Sequence, residues 1–284
     1  MEMDKLELNR IYNENCLDTM SRMPDNFIDL IVTSPPYDDM DENFNPIPKN
    51  GMRNYKGYTW DFKRIVEEMY RTLKEGGAVI WVVNDPVIKG SESLASSYQK
   101  IYFRKIGFRI HDTMIYRKVN PKPSVYNGSH RYEQAFEYIF VLSKGKPKTF
   151  NPIVVGSTYA GVKNEWNNFR QQGIDELHRA WGGDTISETK IVHNIFSYQI
   201  GWCHSYTDEI VKGQPAVMPE KLARDMILSW SNEGDLVYDP FMGSGTTAKM
   251  ALINKRNFIG SELDAGYCDI ANERIAYPKR GSID

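Results

Sequence analysis

A glycine-rich turn in the last quarter of the chain constrains the fold most strongly. Residues 235–264, DLVYDPFMGSGTTAKMALINKRNFIGSELD, predict a strand, a turn containing Gly243 and Gly245, a helix and a second strand. Glycine allows a positive φ and close approach of a ligand, and a helix N-terminus offers free amides. Glu262 follows the second strand about twenty residues after the turn, where doubly wound sheets place an acid that binds ribose hydroxyls. The pattern therefore predicts an α/β sheet that binds a nucleoside-type ligand.

The first part of the chain also alternates between strand and helix patterns. FIDLIVTS (27–34) and AVIWVV (78–83) are short, apolar and rich in β-branched residues, which is typical of buried strands. The polar residues 38–58 predict a loop. WDFKRIVEEMYRTLKEGG has apolar residues on one helical face, and Gly76-Gly77 predicts the end of that helix. This alternation predicts a mostly parallel sheet covered by helices on both faces, which is an α/β fold.

Residues 151–213 interrupt this alternation. They have no clear period and contain Gly, Asn and several aromatic residues, which are unusual in disordered segments. We interpret them as an insert that serves specificity and lies outside the core. The helix pattern returns at PEKLARDMILSWS (219–231), with Leu222, Met226, Ile227 and Trp230 as candidate inward positions. The predicted parts are therefore 1–150, 151–213 and 214–284.

Charge and cysteine content indicate which binding partners, which kinds of site and which cell compartment to expect. The net charge is −2, but residues 100–148 contain eleven Lys and Arg against three Asp and Glu. Such a stretch fits a polyanion-binding face or an ordinary solvated surface. The three cysteines, Cys16, Cys203 and Cys268, are too few and too widely spaced for a disulfide framework or a zinc site. Since no apolar run approaches the roughly 20 residues of a membrane span and the N-terminus has no signal-peptide core, we expect a reduced, cytoplasmic protein.

Two motifs together resemble those of amino-methylating DNA methyltransferases. DPFMGSGTTA with GSELD is similar to their S-adenosylmethionine-binding motif, and TSPPY (33–37) is similar to their catalytic motif. The order of the motifs matches the permuted arrangement called the beta group, and the resemblance continues through FEYIFVLSKGKPKTFNP and GQPAVMPEKL. It implies a circularly permuted, Rossmann-like methyltransferase sheet from a bacterium or phage. Residues 1–150 would be the catalytic half, 151–213 the target-recognition insert and 214–284 the cofactor-binding half.

The resemblance also implies a cofactor site. Its residues would be Asn15, Cys16, Thr33, Asp239, Pro240, Phe241, Gly243, Gly245, Thr246 and Glu262. The stretch from Asp239 to Thr246 would hold the methionine end of S-adenosylmethionine, Glu262 the ribose hydroxyls, and NENCLD (13–18) the adenine ring. The family usually has Asp where Asn15 stands. A side chain added at Gly245 is expected to block the methionine end while leaving the fold intact, and no metal is needed because the sulfonium supplies the leaving group.

The chemistry of methyl transfer explains why the catalytic motif would be Ser34, Pro35, Pro36 and Tyr37. An exocyclic amine is a poor nucleophile because its lone pair is delocalised into the base. The Ser34 hydroxyl and the Pro35 carbonyl are suitable acceptors that would stabilise the charge developing on nitrogen. The prolines end the strand and hold these acceptors in place. The target base must leave the duplex, and Tyr37 would then stack on it.

In the resembling family, Ser at the position of Ser34 is typical of cytosine-N4 enzymes and Asp of adenine-N6 enzymes. We therefore expect a site-specific cytosine-N4 methyltransferase acting on double-stranded DNA, with Lys122, Lys144 and Lys146 as phosphate contacts. The alternatives are an adenine-N6 enzyme of the same fold, a non-catalytic DNA-binding module, and methylation of RNA or protein. The resemblance leaves open a cognate restriction endonuclease, a homodimer and the recognition sequence.

Overall fold

A computed structural model describes most of the chain. The described residues are 6–47, 60–121, 130–157, 160, 187–201, 205–206, 208–212, 217–276 and 278. The strands are β1 (Arg10–Tyr12), β2 (Ile28–Thr33), β3 (Asp39–Met40), β4 (Pro46–Ile47), β5 (Leu73–Val83), β6 (Val87–Ile88), β7 (Ser91–Glu92), β8 (Arg109–Lys118), β9 (Phe136–Ser143), β10 (Val154–Gly156), β11 (Thr189–Ile191), β12 (Ile195–Tyr198), β13 (Leu236–Asp239) and β14 (Asn257–Ser261). The helices are α1 (Cys16–Ser21), α2 (Phe62–Thr72), α3 (Ala95–Ile106), α4 (Glu220–Trp230), α5 (Thr246–Ile253) and α6 (Ala265–Ala276), and Glu209–Val211 form a 3-10 turn.

Eight strands form one sheet in the order β1-β14-β13-β2-β5-β9-β8-β12. Neighbouring strands are parallel, except that β9 is antiparallel to both β5 and β8. The C-terminal ends of β1, β14, β13, β2, β5 and β8 therefore lie at one edge, the carboxyl edge, and β9 begins there. The predicted α/β fold with a mostly parallel sheet is confirmed.

Helices cover both faces of this sheet, as predicted. Since successive side chains of a strand point to opposite faces, Leu30 and Val32 pack in the cluster that contains α4, α5 and α6. Ile31 and Trp81 pack in the cluster that contains α1, α2 and α3. The four predicted inward positions of the α4 helix, Leu222, Met226, Ile227 and Trp230, are all buried in the first cluster.

The end of α2 differs from the prediction. The helix stops at Thr72, and Gly76-Gly77 lie inside β5 instead of terminating the helix. The Thr72 hydroxyl donates to the Glu68 carbonyl at 2.7 Å, and Leu73 is already extended. Leu73 pairs with Ile28 of β2, so strand pairing ends the helix one turn before the glycines.

The chain divides into two compact units, one formed by residues 1–151 with 194–284 and the other by residues 152–193. In the smaller unit, β10 and β11 form an antiparallel pair. The expectation that all of 151–213 lies outside the core is wrong for its last part. There β12 adds to the large sheet beside β8, and Tyr198 and Val211 are buried. The target-recognition role of 151–213 stays a prediction.

Within the predicted loop 38–58, β3 and β4 form a small antiparallel hairpin, and residues 48–59 lie outside the described residues. No helix in the part of the chain that the structure describes has the length and apolar character needed to cross a membrane.

Candidate active site

The two sequence motifs meet at the carboxyl edge. β2 ends in Thr33, immediately before the proline turn, and the neighbouring parallel strand β13 ends in Asp239, immediately before the glycine turn. The Thr33 hydroxyl donates to Asp239 Oδ1 at 2.6 Å, although the two residues are 206 positions apart in the chain. The Thr247 hydroxyl donates to the Val32 carbonyl at 3.2 Å. Two hydrogen bonds thus join the candidate catalytic segment to the candidate cofactor segment.

The glycine turn has the backbone conformation that its sequence predicts. Gly243 and Gly245 have φ values of +53° and +83°. The Gly243 amide donates to Glu262 Oε2 at 2.7 Å, and the Asp264 amide donates to Oε1 of the same carboxylate at 2.9 Å. Glu262 therefore lies directly beside the turn. Burial raises the pKa of its carboxyl group.

The two glycines face different surroundings. A Cβ placed on Gly243 would meet only the Phe241 carbonyl oxygen, at 3.9 Å. A Cβ placed on Gly245 would lie 2.8 Å from Ala271 Cβ, in helix α6. The expectation that a side chain at Gly245 would leave the fold intact is therefore wrong, because this position faces α6. Gly243 is the glycine with open space beside it.

A buried cluster of charged side chains is hydrogen-bonded to the glycine turn. It consists of Asp208, Glu220, Lys249 and Arg274. Arg274 Nη1 donates to the Ser244 carbonyl at 2.7 Å and to the Thr246 hydroxyl at 3.1 Å. Arg274 and Lys249 each contact both carboxylates, at 2.7–2.8 Å. No local sequence pattern predicts this cluster, because its four members come from four separate segments.

Asp239 is a buried carboxyl group at the centre of the site. Its Oδ1 accepts hydrogen bonds from the Thr33 hydroxyl and, at 3.0 Å, from the Phe241 amide. Burial nevertheless raises the pKa of Asp239 to about 6. Pro240 is buried beside it, and the Phe241 ring meets the Trp60 ring edge-on with centroids 5.4 Å apart.

The predicted adenine segment follows β1 at the same edge. Asn15 begins α1, and its Oδ1 accepts a hydrogen bond from the Leu17 amide at 3.0 Å. Asn13 Nδ2 donates to the Glu262 carbonyl at 2.8 Å, so this segment lies beside the predicted ribose acid. Cys16 is buried, and burial raises the pKa of its thiol to about 12. Its thiol is therefore a packing group rather than a nucleophile.

The proline turn carries a chain of hydrogen bonds that the sequence analysis did not predict. Ser34 Oγ lies 3.0 Å from Tyr37 Oη, which donates to Glu137 Oε2 at 2.8 Å. Glu137 Oε1 lies 2.6 Å from Lys118 Nζ. Burial, followed by the charge of Glu137, raises the pKa of Tyr37 well above 10. Pro35 is buried and Pro36 half-buried. In the sequence, Glu137 is marked only by its position at the start of FEYIFVLS. Because β9 is antiparallel to its neighbours, the start of this strand lies at the carboxyl edge, beside the site.

The direction of β9 also determines where two of the predicted DNA contacts lie. Lys144 follows the end of β9, seven residues after Glu137, so it lies about 23 Å along the strand from the carboxyl edge. Its Nζ donates to Asn26 Oδ1 and to two backbone carbonyls at 2.9–3.0 Å. Lys144 and the exposed Lys146 thus lie far from the candidate site, and their role as phosphate contacts stays a prediction. Lys122 lies outside the described residues.

The carboxylates at the carboxyl edge of the sheet suit a ligand with hydroxyl and ammonium groups. Asp239 and Glu262 supply carboxylates, and a Cβ added at Gly243 would meet no atom closer than 3.9 Å. Carboxylates would repel a phosphate but accept hydrogen bonds from ribose hydroxyls and from an amine. These residues fit S-adenosylmethionine. Within the described residues, no group of three or more His, Cys, Asp or Glu is arranged to hold a metal ion.

Comparison with known proteins gives a consistent result. A family model described as DNA methylase, N6_N4_Mtase, matches residues 28–273. The chain is 47% identical over 256 residues to the orphan methyltransferase M.BamHII of Bacillus amyloliquefaciens, covering 87% of this chain and 88% of the relative. Its fold is similar to that of the cytosine-N4-specific PvuII DNA methyltransferase, with a TM-score of 0.69, 18% identity and coverage of 99% and 89% of the two chains. It is also similar to that of M1.HpyAVI in complex with SAM, with a TM-score of 0.57, 19% identity and coverage of 94% and 99% of the two chains.

Proposed function

This chain belongs to the DNA methylase family that includes N6 and N4 methyltransferases, and we propose that it methylates the exocyclic N4 of cytosine at a specific site in double-stranded DNA. The methyl donor is S-adenosylmethionine. The order of the motifs, TSPPY before DPFMGSGTTA, supports the permuted beta-group arrangement.

The hydrogen bond between Thr33 and Asp239 carries this proposal. It places Ser34 one residue from a direct link to the cofactor turn. Methyl transfer requires that the accepting nitrogen, the methyl carbon and the sulfur lie in line, and holding reactants in such geometry is a large part of catalysis. Two turns tied together at adjacent strand ends are suited to that alignment.

When bound, S-adenosylmethionine supplies an electrophilic methyl group on a positively charged sulfur. Transfer of this methyl group to the amine nitrogen would leave the carbon–sulfur electron pair on sulfur, and solvent water would take the proton that the nitrogen loses. The Ser34 hydroxyl and the Pro35 carbonyl accept hydrogen bonds from the amine as positive charge develops on it. Pro35 and Pro36 keep this turn rigid, and the Tyr37 ring stacks on the extruded base.

Ser34 supports cytosine as the target, since Ser in this position is typical of N4 enzymes in the resembling family. The adenine-N6 reaction uses the same fold and is the alternative outcome of the test below. A cognate restriction endonuclease and a homodimer stay predictions.

The proposal is tested by identifying the methylated nucleoside. Unmethylated chromosomal DNA is incubated with the protein and S-adenosylmethionine, digested to nucleosides and analysed by mass spectrometry. N4-methylcytosine is the expected product. N6-methyladenine would refute the choice of base, and the absence of any methylated nucleoside would refute the enzyme assignment.

Ser34→Ala provides the matched kinetic test. It should lower kcat by about 100-fold, the size of effect seen when one preorganised hydrogen-bond group is removed. The affinity for S-adenosylmethionine should stay within about twofold of the wild type, because the hydroxyl acts only as charge develops on nitrogen. A large loss of cofactor affinity would instead place Ser34 in the cofactor site.

A further inference from the structure

Glu137 accepts a hydrogen bond from the candidate catalytic turn but is not part of the TSPPY motif. It stands opposite Tyr116 in the pairing of β8 with β9, at the carboxyl edge. Its side chain is 14% exposed, and its two oxygens have different partners: Oε2 accepts the Tyr37 hydroxyl at 2.8 Å and Oε1 contacts the Lys118 ammonium at 2.6 Å. The Lys118 side chain is 18% exposed, so this pair is largely shielded from water.

The number of protons in this chain of hydrogen bonds determines its direction. A carboxylate only accepts hydrogen bonds, and Glu137 Oε1 is paired with the Lys118 ammonium. Tyr37 has one hydroxyl proton, which it donates to Glu137. In the 3.0 Å contact between Ser34 and Tyr37, Ser34 must then be the donor. The Ser34 oxygen therefore keeps its lone pairs for other partners and has no proton left to give.

From this direction we propose that Glu137, held by Lys118, is a positioning residue that makes Ser34 a pure hydrogen-bond acceptor. The inference rests on the proposed function. An exocyclic amine offers N–H donors, whereas the corresponding position of thymine offers a carbonyl acceptor. A serine that can only accept selects the amine, and it stabilises positive charge developing on that nitrogen. The same reasoning applies whether the amine belongs to cytosine or adenine.

Glu137→Gln tests the direction of the hydrogen bonds from Ser34 through Tyr37 to Glu137, because it changes the shape of the side chain little. An amide has one acceptor side and one donor side, and the Lys118 ammonium attracts the acceptor side. The amide NH₂ then donates to Tyr37, whose own proton turns toward Ser34 and occupies one of its lone pairs. The rate of methyl transfer should fall at least tenfold in a single-turnover assay with labelled S-adenosylmethionine. Cofactor affinity should stay within twofold.

Adding Lys118→Met to Glu137→Gln gives a rate recovery that would not be expected if Glu137 had only a structural role. In the double variant Glu137→Gln/Lys118→Met, no ammonium orients the amide, so its oxygen can again accept the Tyr37 proton. The double variant should recover at least fivefold in rate over Glu137→Gln alone. Glu233→Gln is the matched control, since Glu233 pairs with a lysine on the exposed surface, and it should match the wild type.

Three results would overturn the inference. They are a Glu137→Gln rate within twofold of the wild type, a double variant no faster than the single variant, and a rate loss accompanied by lost cofactor affinity. Failure of the proposed function is distinguishable, because the wild-type protein itself would then transfer no methyl group to DNA. A wild-type product of N6-methyladenine would leave this inference standing.

Discussion

Gly243 and Gly245 should respond differently to the same substitution, alanine. Both have left-handed backbone conformations, which cost a residue with a Cβ roughly 1–2 kcal/mol. Gly245→Ala also forces its methyl group to within 2.8 Å of Ala271 Cβ, and such overpacking costs typically about 1–3 kcal/mol. Gly243→Ala meets only one atom, at 3.9 Å. The free energy of unfolding should therefore fall by about 1–3 kcal/mol more for Gly245→Ala than for Gly243→Ala.

Cofactor affinity should show the opposite order. The methyl group of Gly243→Ala projects into the open space where the proposed cofactor lies, so its affinity for S-adenosylmethionine should fall at least tenfold, or about 1.4 kcal/mol. Folded Gly245→Ala should keep its affinity within about threefold, since its methyl group points toward α6. Urea unfolding gives the stabilities, and calorimetric titration at low temperature gives the affinities.

A double variant separates the close contact from backbone strain. Removing the Ala271 methyl group takes away the atom nearest to the added Cβ, so Gly245→Ala should cost less in an Ala271→Gly background than in the wild type. Equal unfolding free energies for the two single variants would refute the packing argument. Unchanged affinity in Gly243→Ala would remove the cofactor from this side of the turn.

Three further substitutions test other parts of the site. Glu220→Gln leaves the two buried cations with one carboxylate and should lower the free energy of unfolding by about 3–5 kcal/mol in urea, while the exposed Glu233→Gln should cause no measurable loss. Because the pKa of Asp239 is raised from 3.8 to about 6, its contribution to stability is fully present only below pH 3.8 and is lost as pH rises through about 6. Relative to Asp239→Asn, wild-type stability should therefore fall by about 2 kcal/mol between pH 4 and pH 7, which is most of the full effect at about 1.4 kcal/mol per pKa unit, and parallel pH profiles would contradict this. Lys146→Ala tests the predicted phosphate contact: it should lower the magnitude of the salt slope of DNA affinity by about one, and an unchanged slope would remove Lys146 from the predicted contacts.

The sequence predicted the two turns well, because both are local patterns at the ends of strands. Proline after β2 and glycine after β13 each mark a strand end, and parallel strands bring those ends to one edge. Helix amphipathicity likewise predicted the inward face of α4. These features depend only on residues close together in the chain.

Features that depend on strand direction or distant contacts could not be predicted. β9 and the parallel strands of the sheet have the same kind of apolar pattern, so the sequence did not indicate that Glu137 lies at the site and Lys144 at the far edge. The contact between Gly245 and Ala271 joins two helices that follow different strands. Both sets of relations are tertiary, and a propensity or motif carries no information on them.

The candidate catalytic turn is held from two sides, and this explains why a short motif can serve as a rigid acceptor site. Thr33 ties the start of the turn to Asp239 on β13, and Tyr37 ties its end to Glu137 on β9. β13 and β9 lie on opposite sides of the β2–β5 pair in the sheet. Ser34 lies between these two anchors, so its position depends on strand ends that are themselves buried between helices. Sites built on such rigid elements hold their geometry better than sites on free loops, which is what in-line transfer to a weak nucleophile requires.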